Sequence, residues 1–114
     1  MSDQVFDGDA ALATIRRVAA TQGVKPPIVT PEARIEEDLR MTGDDALEFL
    51  EAVAAALAID MSDFVAADFI GPEAGVHPGF VGRWFGRPSG PLRPLTVARL
   101  IEAARIGRWA PDPR

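Results

Sequence analysis

Residues 36–49 read EEDLRMTGDDALEF. A carboxylate cluster, a Thr-Gly turn and two more carboxylates lead into an apolar run. That run carries Leu47, Leu50, Val53, Ala54 and Leu57 at helical spacing, with Phe49 widening the stripe. Five of residues 52–58 are alanine, the best helix former. The pattern predicts a helix over 43–58, the strongest in the chain. Thr42 and Asp45 fit a capping box, in which hydroxyl and carboxylate satisfy free N–H groups. Acidic residues in a first turn also suit the positive end of the helix dipole, at about 0.3–1 kcal/mol each.

Asp44, Glu48 and Glu51 step by four and three residues and so line one edge of that helix, with Asp45 beside them. Like charges so placed weaken an isolated helix by about a few tenths of a kcal/mol per pair. The edge reads in two ways. It is a solvated outer face with a charged cap, or it is a docking edge for the Lys and Arg side chains of a partner.

Upstream, residues 9–22 (DAALATIRRVAATQ) suit a helix. Ala11, Ile15 and Val18, with Leu12 and Ala19, make one apolar stripe, Arg16 and Arg17 sit off it, and Gly23 follows the last turn. KPPIVTPEAR is a connector, because three prolines forbid regular helix; Ile28, Val29 and Ile35 are expected to drop from it into the core. Downstream, IDMSDFVAADF suits a short helix beginning at Asp60 or Ser62 and holding Phe64, Val65 and Phe69, or an extended stretch. Eleven of the 24 residues 71–94 are Gly or Pro, yet Val76, Phe80, Val81, Trp84 and Phe85 are apolar, so this irregular excursion is expected to lie on the domain. Residues 95–106 close the fold as a helix with Thr96 as N-cap, Val97, Leu100, Ile101 and Ala104 on one face, and Gly107 after the last turn. Trp109 is expected to pack back on the body, and residues 110–114 to fray. The whole reads as one all-α domain, a small bundle.

Charge and composition limit the function. The chain has 114 residues, a net charge of −5 and no cysteine, so disulfides and thiolate metal sites are excluded and a reducing cytoplasm is the expected compartment. Residues 1–73 balance to −10 and residues 74–114 to +5. An acidic body argues against nucleic acid, and no apolar run approaches a membrane span. The N-terminal MSDQVFDGD is acidic where a signal peptide is basic. His77 is the one histidine, and Ser2, Ser62 and Ser89 lack a nucleophile-elbow setting. With no tyrosine or cysteine either, nucleophile and acid–base candidates are missing and no enzyme is expected. One histidine and no cysteine build no common zinc site, and Asp38, Asp44 and Asp45 lack the calcium-loop pattern. GPEAGVHPG lacks the Lys-Ser/Thr end of a phosphate loop.

The stretch GVKPPIVTPEARIEEDLRMTGDDALEFLEAVAAALAIDMSDF resembles the acyl carrier protein family, and PLTVARLIEAA is similar to the last carrier helix. More closely, EEDL, GDDA, DF, PLTV and AARIGRW, in that order, resemble an uncharacterised bacterial family of acyl-carrier-like proteins, a domain of unknown function. The resemblance covers roughly residues 9–109 apart from 71–94. It implies a four-helix bundle, to which this chain adds an irregular Gly/Pro-rich insertion before the last helix, where carriers have a short loop. The carrier family attaches phosphopantetheine to the serine of an Asp-Ser-Leu at the start of its second helix. Laid against that motif, this chain offers Thr42, Gly43 and Asp44, and a shift by one residue puts Asp44 at the serine place. Neither register has a serine, so no prosthetic group is expected.

The resemblance further implies that the second helix docks on basic surfaces of partner proteins, with Asp44, Asp45, Glu48 and Glu51 on the docking face. Arg83, Trp84, Phe85 and Arg87 depart from the family as an aromatic-basic element, either a cover for the end of the core or a second contact surface. The expected function is a non-catalytic interaction module. The alternatives are a genuine carrier modified at an unusual residue, or a small acidic inhibitor or immunity-type protein.

Overall fold

The computed structural model describes residues 6–41, 43–65, 69 and 93–110. Those residues hold three α-helices, one turn of 3-10 helix and no strand, so the described chain is all-helical. The expected capping residue Thr42, residues 71–92 of the 71–94 excursion and residues 111–114 of the tail lie outside the described residues.

Helix α1 spans Gly8–Ala20. Its first N–H groups find a partner in Asp7, whose Oδ1 accepts from the amides of Asp9 (3.0 Å) and Ala10 (3.2 Å). The cap sits before the residues read as the helix start, so α1 begins one residue earlier than its apolar stripe indicates. Ala11, Ile15 and Ala19 are buried, as the spacing predicts, with Leu12 and Val18 packed at their side. Thr21 ends the helix and Gly23 turns the chain at φ 86°.

The connector is not wholly irregular. Pro26 and Pro27 open a single 3-10 turn, Pro26–Ile28, where their missing N–H groups cost nothing. Val29 and Ile35 enter the core as expected. Ile28 does not: it is 47 % exposed. The turn points Val29 inward instead, and the Arg16 Nε, at 3.0 Å, donates to the Val29 carbonyl to hold that geometry. From Arg34 to Leu39 the chain makes a tight loop. The Asp38 carboxylate accepts from the Arg34 amide (2.8 Å), its Nε (3.1 Å) and its Nη2 (3.2 Å), a two-pronged grip that turns Leu39 and Met41 inward.

Helix α2 spans Gly43–Leu57 and buries Gly43, Ala46, Leu47, Phe49, Leu50 and Val53. It ends at Ala58, which takes φ 56° while the Ile59 amide reaches back to the Ala54 carbonyl at 2.9 Å.

The short helix expected after α2 is absent from its described part. Asp60 Oδ1 accepts both the amide (2.9 Å) and the hydroxyl (2.5 Å) of Ser62, and the Phe64 amide bonds to Met61. The Asp60 backbone is already committed. Its N–H donates to Gly107 and its carbonyl accepts from Trp109, at 3.1 and 2.8 Å. A residue bridged on both sides does not start a helix, and a turn results.

Helix α3 spans Val97–Ile106, capped by Thr96 Oγ1 accepting from the Arg99 amide at 3.3 Å and closed by Gly107 at φ 97°. Both caps match the sequence reading. α1 packs against both α2 and α3. The connector is stitched to the start of α3 by three amides: Ile35 to Leu95, Val97 to Ala33 and Ala98 to Pro31, at 2.8, 2.9 and 2.8 Å. Trp109 is buried as expected, edge-on to Phe64 (5.0 Å between centroids) and Phe69 (5.6 Å), which stack on each other at 5.5 Å. Arg99 lies over the Trp109 ring at 4.4 Å.

Candidate functional site

The two sides of α2 differ completely. Leu47, Phe49, Leu50 and Val53 have no measurable exposure. On the other side Asp44, Asp45 and Glu48 are exposed and Glu51 is half-buried. One helix thus separates its apolar face from a row of carboxylates, as the three- and four-residue spacing requires. Among the described residues, the side chains of Asp45, Glu48 and Glu51 form no hydrogen bond or ion pair.

Several other described carboxylates are engaged. The Arg34 guanidinium holds Asp38 below the ordinary carboxylate range through hydrogen bonds. The hydroxyl and amide of Ser62 do the same for Asp60. Arg105 lowers Glu102 through a short ion pair one turn away. Arg108 stands 4.0 Å from Asp63.

At the head of α2 the motif positions separate. Thr42 lies outside the described residues. Gly43 is buried and takes φ 52°, in the left-handed region. It has no side-chain atom to modify, and an L-residue in its place meets a backbone cost of about 1–2 kcal/mol. Asp44, next along, offers a carboxylate, which forms no phosphodiester. Arg40 just upstream also takes a left-handed φ, 62°. This feature escaped the sequence reading because arginine carries no signal for it. The other residues singled out from sequence, His77 and the Arg83, Trp84, Phe85 and Arg87 element, fall outside the described residues.

No group of three or more His, Cys, Asp or Glu is placed to hold a metal among the described residues. No described helix is long and apolar enough to cross a membrane. Two hollows went unread in the sequence, because each is built from segments distant along the chain. One, of about 130 Å³, lies between the Ile35–Glu37 loop and Arg93–Leu95, with Phe69 in its wall. The other is an open trough between α1 and α3.

A family model covers residues 11–112, nearly the whole chain. The chain belongs to the family described as Protein of unknown function (DUF1493). Comparison with curated proteins and with solved structures gives no match. The family's span takes in α1 from Ala11 onward, the connector, α2 with its acidic edge, the aromatic cluster and α3.

Proposed function

We propose that this DUF1493 protein is an acyl-carrier-like four-helix protein without a prosthetic group. In this reading it works as a non-catalytic interaction module whose acidic α2 edge docks on a basic protein surface. The supporting observation is the row Asp45, Glu48 and Glu51, carboxylates facing out of a helix whose opposite face is sealed, with no cation of the described chain upon them. A protein that needed these groups for its own stability would pair them, as it does Asp38 and Glu102. Left unpaired, they weaken the helix slightly and strengthen encounter with a cationic partner.

The glycine at the head of α2 supports the second half of the reading. Carrier chemistry needs a hydroxyl there, and Gly43 has none. Coexpression with a broad-specificity phosphopantetheinyl transferase is expected to leave the intact mass unchanged. An adduct on Thr42 or on any other residue overturns the reading and makes the protein a true carrier. For the interaction itself, the tagged protein is used as bait in native lysate. A stoichiometric partner with a basic surface is expected, lost when Asp45, Glu48 and Glu51 are changed together to Lys. Capture that survives the charge reversal sinks the docking role of α2.

A further inference from the structure

We draw no further inference here: the strongest candidate, the hollow of about 130 Å³ between the Ile35–Glu37 loop and Arg93–Leu95, carries nothing, because Glu36 and Arg93 in its lining are already engaged by other groups and nothing in the structure shows what covers its apolar wall of Ile35, Phe69 and Leu95.

Discussion

Ala58 and Arg40 hold left-handed backbone at the two approaches to α2, where glycine is the natural occupant. Ala58→Gly is expected to raise stability by up to about 1 kcal/mol, read as a shift in the urea midpoint with unchanged slope. Gly43→Ser, which would put a hydroxyl at the head of α2, should do the reverse and cost about 1–2 kcal/mol, since it puts a Cβ on a φ of 52°. Asp38 gives a pH prediction. Its folded carboxyl lies below the ordinary range because Arg34 holds it ionised. Its contribution is therefore complete above the unfolded value and fades as pH falls through the folded one. Melting temperature should drop on acidification below about pH 4, and Asp38→Asn should flatten that drop. None of these backbone angles was legible in the sequence. Gly23 and Gly107 were readable because glycine announces its freedom, whereas Arg40 and Ala58 adopt the same region without such a mark.

At the scale of elements, the periodic segments were readable to within a residue or two. Ala11, Ile15 and Ala19 on α1, and Leu47, Leu50 and Val53 on α2, fall where the spacing puts them, because a helix face is a purely local property. The α3 caps were readable for the same reason. What failed was non-local. The turn at Asp60 forms because its backbone pairs with Gly107 and Trp109 across the molecule, and Ile28 faces water because Val29 takes the inward position in the 3-10 turn. Of the candidate site, the carboxylate row of α2 was legible, since three- and four-residue steps fix a face; the trough was not, since its walls meet only after folding. Leu50 shows what the sealed side of α2 contributes. It has no exposure, and Leu50→Ala is expected to cost about 2–5 kcal/mol in chemical denaturation, whereas Glu48→Gln on the opposite side should stay within about 0.5 kcal/mol.

For the molecule as a whole, two sets of long-range stitches decide the arrangement. One ties the connector to the head of α3; the other ties the turn after α2 to the residues following α3. Trp109 closes the second set against Phe64 and Phe69. Trp109→Ala is expected to cost about 3–5 kcal/mol, measurable as an early loss of the cooperative thermal transition. The aromatic cluster carries one more implication. Arg93 places its guanidinium 5.1 Å from the centre of the Phe69 ring, so the polypeptide departs from this spot at Phe69 and comes back to it at Arg93. A detour whose two gateposts already touch adds little to the entropy of closure when it lengthens, because that cost grows only logarithmically. Phe69 and Arg93 are thus a fixed pair of anchor points, and the closure entropy of the chain that joins them depends only weakly on how long it is.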